Sequence, residues 1–145
     1  MPSVSFQNAD VKLVLKSKLK LKKFIPELFS ANKHLLKSLT VVFCSDEYLL
    51  GLNRQFLQHD YYTDILTFDL SSNDAVVGEI YISTERVQEN AALEQIPFEK
   101  ELLRIIFHGI LHLCGFNDKT TSQKKKMTRK ENDALTKFAS FHVKQ

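Results

Sequence analysis

The chain has 145 residues, is 43% hydrophobic and 26% charged, and carries a formal net charge of +3 with only four glycines and three prolines. This composition excludes collagen-like, low-complexity and wholly disordered chains and suffices for one packed core. Two cysteines, Cys44 and Cys114, are too few for a disulfide scaffold and fit free thiols in a reducing compartment. The opening MPSVSFQNAD lacks an apolar core, and no run reaches the ~18 apolar residues of a membrane span. A cytoplasmic protein with no membrane partner is expected.

Val4 and Phe6 alternate as in a strand. Val11, Leu13 and Leu15 repeat that alternation before Ser17, a potential N-cap for a helix running to about Asn32, with Pro26 inside it. Residues 39–44 (LTVVFC) read as a short buried strand, after which Ser45 or Asp46 caps a helix through Leu49, Leu50 and Phe56. Residues 63–69 and 76–82 are two further strands in a hairpin-like arrangement around the turn-rich Ser71-Ser72-Asn73-Asp74. Ser83 caps a helix through Ala92, Pro97 opens another that ends at Cys114 before Gly115, and a last helix covers about residues 121–141. No repeat or linker-like tract divides the chain. The expectation is a single α+β domain over residues 1–145, with a mixed sheet of about four strands and helices packed mainly on it.

Charge is segregated along the chain. Residues 1–37 carry eight Lys/Arg against two Asp/Glu, residues 38–96 two against ten, and residues 97–145 ten against five. Such a pattern can set a basic face, attractive to a polyanion such as nucleic acid, beside an acidic one; an ordinary solvated surface is the alternative.

The chemistry concentrates in residues 107–118. At 100° per residue His108 and His112 stand one turn apart on one helix face, close enough for both imidazoles to reach one metal ion, whereas Cys114 points elsewhere. Gly115 can take the left-handed conformation that ends a helix and bring Asp118 back as a third ligand. Two imidazoles and a carboxylate leave a coordination position open, which suits a catalytic ion whose bound water has its pKa lowered toward ~7. A histidine pair at this spacing also occurs in cores without metal, but Ile105, Ile106, Leu111 and Leu113 bury this helix, where the imidazoles need partners. The metal-binding helix thus lies near the C-terminus. The spacing matches the H-E-x-x-H-x-x-G-x-x-H pattern of metzincin peptidases, yet Gly109 stands where their glutamate base would be. Peptidase chemistry loses its base, and a metal-bound water suited to attack on a phosphodiester remains.

The stretch HGILHLCGFND resembles the H-G-x-L-H-L-x-G-[YF]-D-H signature of the YbeY family of bacterial ribosomal RNA maturation factors. Leu52-Asn53 through Phe56, Asp60 and residues 63–68 (TDILTF) resemble that family's L-N-x-x-Y-R-x-x-D-x-P-T-D-V-L-S-F segment, and Gly78-Glu79-Ile80 its G-D-[IL]. The resemblance implies a zinc-dependent endoribonuclease specific for single-stranded RNA, acting on ribosomal RNA precursors at the small subunit's 3′ end. It also marks departures. Asp118 replaces the third metal histidine and Asn117 the preceding aspartate. A carboxylate ligand is harder and lowers the site's charge, which weakens the preference for zinc over other divalent transition metals and raises the bound water's pKa. Leu57 occupies the position of the family arginine, and Arg54, three residues earlier on the same helix face, is a candidate catalytic replacement beside a phosphate. Tyr62 replaces a proline.

Lesser candidates are His59, which could orient near the site through Asp60, and Phe68, Tyr61 and Tyr62 as stacking surfaces. The cationic run Lys124-Lys125-Lys126 with Arg129 and Lys130 could grip RNA phosphates. Three functions therefore stand: a metal-dependent endoribonuclease on His108, His112 and Asp118; a ribosome-associated RNA-binding factor with a structural metal; and, against Gly109, a zinc metallopeptidase.

Overall fold

Among the described residues, the alternating and continuous apolar segments other than residues 11–15 become four strands, and the 3.6-periodic ones become five helices. The protein is represented by a computed structural model that describes residues 1–143. In chain order the elements are β1 (Ser3–Asn8), α1 (Lys18–Ala31), β2 (Leu35–Cys44), α2 (Asp46–Leu57), β3 (Ile65–Asp69), β4 (Ala75–Ser83), α3 (Thr84–Glu94), α4 (Phe98–Leu113) and α5 (Thr121–Ser140). They form one mixed sheet in the order β1-β2-β4-β3. β1, β2 and β4 are parallel, and β3 returns antiparallel on β4 with Ile65 opposite Ile82. The expected α+β architecture is present.

Strand alternation assigns the two faces of the sheet. Leu39, Val41 and Phe43 of β2, Ile80 and Ile82 of β4 and Ile65 of β3 join the core beneath α1, α4 and α5. Cys44 and Leu66 pack instead with Leu49, Leu52, Phe68 and Tyr81 in a smaller cluster under α2. α4 is the most enclosed of the described helices: Leu102, Ile105, Ile106, Phe107 and Ile110 are all essentially without solvent contact, and each such side chain contributes about 1.5–3 kcal/mol. Phe107 meets Phe24 and Phe138 at centroid distances of 5.5 and 5.7 Å, tying α1, α4 and α5 together.

Several boundaries differ from the sequence expectation for identifiable reasons. Residues 11–15 are not a strand, although Val11, Leu13 and Leu15 do pack against the core. β1 and β2 are parallel neighbours, so the chain between them must cross over rather than pair, and the alternation records one buried side of an extended crossover. β2 begins at Leu35, before the apolar run at 39–44, because its backbone continues to pair with β4 from Leu35↔Ala75 onward. Pro26 does not break α1. The buried face of Leu21, Phe24, Ile25, Leu28 and Phe29 outweighs the one intrahelical bond that proline forfeits. Pro97 is the N-cap of α4 rather than its first residue. Ser45 and Ser83 cap α2 and α3 as expected, each hydroxyl accepting a backbone N–H three residues on.

Candidate metal centre

α4 lies against the sheet through glycines. A Cβ at Gly109 would stand 2.8 Å from Ile65 Cδ1 and 3.0 Å from Ile80 Cδ1, and a Cβ at Gly78 would stand 2.7 Å from Leu113 Cδ1. Gly109 therefore faces the sheet, where a glutamate would be driven into the core rather than toward His108. The histidines occupy another side of the helix, with side chains 14% (His108) and 24% (His112) exposed.

The helix then ends in a Schellman motif. The Phe116 N–H donates to the Leu111 carbonyl at 3.0 Å and the Gly115 N–H to the His112 carbonyl at 2.9 Å, with Gly115 at φ +96° in the region that only glycine enters at little cost. This turn reverses the chain. Lys119 and Thr120 N–H groups then donate to Gln123, whose own N–H donates to the Thr120 hydroxyl in the capping box that starts α5. Asp118, held between the two helix ends, is carried back over the histidines.

The three donor atoms form a nearly equilateral triangle. His108 Nε2 and His112 Nε2 are 3.0 Å apart, and Asp118 Oδ2 is 3.3 Å from each. Metal–ligand bonds of about 2.0–2.1 Å in a tetrahedron require ligand separations of about 3.3–3.4 Å. His108, His112 and Asp118 thus fit one divalent ion, with a fourth position left open. The expectation that the chain reversal at Gly115 would bring the carboxylate to both imidazoles corresponds to what the structure contains.

Three further residues support this triangle. His108 Nδ1 lies 2.5 Å from Glu131 Oε2, Arg104 donates to Glu131 Oε1 at 3.0 Å, and two further Arg104 N–H groups bond the two oxygens of Glu101 at 2.7 and 2.6 Å. Glu101 and Glu131 are buried. Burial raises the Glu131 carboxyl pKa, but the His108 hydrogen bond and the Arg104 guanidinium outweigh it and hold it below the ordinary value. Hydrogen bonding to Glu101 raises the Arg104 pKa against the effect of burial. Sequence reasoning missed these residues. Arg104, four positions before His108, and Glu101, three before Arg104, were open to a helical-spacing argument, whereas Glu131 on α5 reaches His108 only through packing.

Among the described residues, none of the remaining candidates makes a hydrogen bond or ion pair to the triangle. Arg54 is paired with Asp60 on the exposed surface at the end of α2, and Leu57, three residues on, is exposed. His59 stacks on Tyr61, with Nδ1 2.9 Å from the tyrosine hydroxyl. Tyr62 donates to Glu47 at 2.6 Å, and Phe68 packs edge-on to Phe56 and Tyr81. Asn53 and Asp64 shape the 58–64 loop: the Asn53 amide donates to the Tyr61 carbonyl at 2.9 Å, and the Asp64 carboxylate accepts from Asn90 at 3.3 Å. The basic run divides in two. Lys126 and Lys130 lie over the Phe116 ring, while Lys124, Lys125 and Arg129 line an open depression with Thr121, Ser122 and Thr128. Cys44 and Cys114 are free and buried, and burial pushes both thiols up to about 12.

Fold and site together define an α+β protein with a two-histidine, one-carboxylate centre able to hold a metal ion. The chain belongs to the endoribonuclease YbeY family, whose model matches residues 4–139. The endoribonuclease YbeY of Christiangramia forsetii is 49% identical over 116 residues, covering 80% of this chain and 78% of that one. That of Cytophaga hutchinsonii is 41% identical over 135 residues, covering 92% and 94% respectively. A solution structure of a Thermotoga maritima protein superposes with a TM-score of 0.64 at 31% identity, covering 93% of this chain and 88% of the other. The reaction class that the family name denotes is internal hydrolysis of RNA phosphodiester bonds.

Proposed function

We propose that this chain is a zinc-dependent endoribonuclease that cleaves single-stranded RNA in the cytoplasm, during maturation of the small-subunit ribosomal RNA precursor, and that residues 1–145 act as one domain. The observation that carries this reading is the convergence of His108 Nε2, His112 Nε2 and Asp118 Oδ2 at tetrahedral spacing, joined to membership of the endoribonuclease family. Two unpaired cysteines support a reducing compartment.

Zinc held there supplies a water of lowered pKa and a Lewis acid for a phosphate oxygen. His108 and His112 bind through Nε2 and Asp118 through Oδ2. Lys124, Lys125 and Arg129 follow Asp118 closely in the chain and supply the cationic surface that neutralises RNA phosphates. Arg54 reaches a phosphate by exchanging Asp60 for it, a swap between two charge-assisted partners at an exposed site.

The test is cleavage of a labelled single-stranded RNA and its duplex form by the zinc-loaded full chain and by His108→Ala. Cutting confined to the single strand, and lost in the variant, is expected. Unchanged cleavage by His108→Ala refutes the mechanism. The position of Leu57 and the engagement of Arg54 by Asp60 favour a second reading, an RNA-binding ribosome factor with a structural metal. It predicts salt-dependent RNA binding without cleavage in the same assay. A peptidase finds no support, since the residue beside His108 faces the sheet.

A further inference from the structure

The chain Glu101–Arg104–Glu131–His108 runs from the groove between α3, α4 and α5 to the metal triangle. Glu101 and Arg104 both line that groove. Burying two carboxylates, Glu101 and Glu131, in a small domain is costly unless they are paired and hydrogen-bonded, and here the partly exposed Arg104 pairs with both in a definite order. Arg104 spends two N–H groups on the two oxygens of Glu101 and a third on Glu131 Oε1. Glu131 is left with Oε2, and the atom placed against it, at 2.5 Å, is His108 Nδ1.

The consequence concerns which ring nitrogen carries hydrogen. A carboxylate accepts only, so the His108 nitrogen facing Glu131 is the donor, and Nε2 presents a lone pair. That lone pair faces the point shared with His112 Nε2 and Asp118 Oδ2. The opposite tautomer would set the lone pair of Nδ1 against a carboxylate and a hydrogen where the metal belongs. Formal charge agrees. Glu101, Arg104 and Glu131 leave one negative charge, Asp118 adds a second, and a divalent cation balances both.

We infer that Glu131, itself held in place by Arg104 and Glu101, is a positioning residue that fixes the His108 tautomer and ring so that Nε2 is ready to bind the metal. This rests on the metal reading above and adds a residue from a different helix to it. α5 thereby does more than cover the core: it sets the ligand on α4.

The experiment compares zinc affinity, by competition with a chelating dye, for the full-length wild type, Glu131→Ala and Glu131→Gln, alongside the melting temperature of each without metal. Outer partners of metal-bound histidines typically contribute about 10–100-fold in affinity, so Glu131→Ala is expected to lose that much. Glu131→Gln keeps an oxygen that can accept from Nδ1–H and is expected to recover most of the loss. Nitrogen-15 NMR of the metal-free wild type should show His108 with its proton on Nδ1 before any ion can impose that tautomer, a readout that needs no variant to fold. Wild-type affinity in Glu131→Ala, whatever its melting temperature, or a proton on Nε2 with Nδ1 bare, overturns the inference while leaving the metal centre standing. A wild type that binds no zinc overturns the metal reading itself.

Discussion

Replacing Asp118 by alanine tests the centre most directly. Asp118 contributes one oxygen, 3.3 Å from both imidazole nitrogens, and its side chain is 37% exposed. An exposed side chain with no role in the core costs within about 0.5 kcal/mol when removed. At about 2.1 cal/mol/K of unfolding entropy per residue, a chain of this size has roughly 0.3 kcal/mol/K, so the metal-free variant should melt within about 2 °C of wild type. Metal changes the comparison. Ligand at 100 times its dissociation constant stabilises the native state by about 2.7 kcal/mol, which corresponds to a rise of about 9 °C in wild type. Losing a directly bound carboxylate should cost at least the roughly 100-fold upper end seen for outer partners. At the same zinc concentration the variant then gains only about 0.4 kcal/mol, or about 1 °C. The assay is a thermal melt followed by circular dichroism, with and without zinc after chelator removal. Equal zinc-induced shifts in the two proteins would refute Asp118 as a ligand, and a variant destabilised by many degrees without metal would refute the view that its role is confined to the ion.

Gly109→Val places atoms where Ile65 and Ile80 already stand and should lower stability by about 1–3 kcal/mol through overpacking; an unchanged urea midpoint would show that α4 has slack against the sheet. Cys44 and Cys114, both pushed up to about 12 by burial, should not react with a disulfide reagent at pH 8 until denaturant is added, since the thiolate is the nucleophile. Their native values lie above the unfolded ones, so the stability they contribute is complete below the unfolded thiol value of about 8.5 and is lost as pH rises through about 12. Prompt native-state modification of either would contradict their burial. Mutating Lys124, Lys125 and Arg129 to alanine should flatten the salt dependence of RNA binding by up to about two in log–log slope; filter binding across a salt series reads this, and an unchanged slope would remove these cations from the RNA path.

The features legible in the sequence are those governed by neighbours in the chain. Ser45 and Ser83 mark helix starts because capping is a three-residue interaction. The histidine pair could be read because helical geometry fixes the relation of residues four apart, and Gly115 revealed the reversal toward Asp118 because only glycine adopts its φ freely. The whole triangle of candidate donors spans eleven residues, 108–118, so short-range stereochemistry nearly determines it. The alternation at 11–15, by contrast, predicted burial correctly but not pairing, since a strand needs a neighbour and the parallel order of β1 and β2 obliges the chain to cross over there instead.

Only the tertiary structure decided what lies behind the first histidine and beneath its helix. Glu131 is 23 residues from His108 in sequence and 2.5 Å from it in space, and no periodicity on α5 distinguishes it from the other residues of that helix's buried side. Gly109 reads as a missing base until the sheet is present, whereupon the ends of the Ile65 and Ile80 side chains show that any side chain there must push the core aside. Arg54 likewise reads as a free cation until Asp60 is found beside it. The sequence alone singled out the three candidate donors, because local backbone geometry carries them. The fold decided how they are oriented and supported, because those contacts exist only when helices and strands remote in the chain pack together.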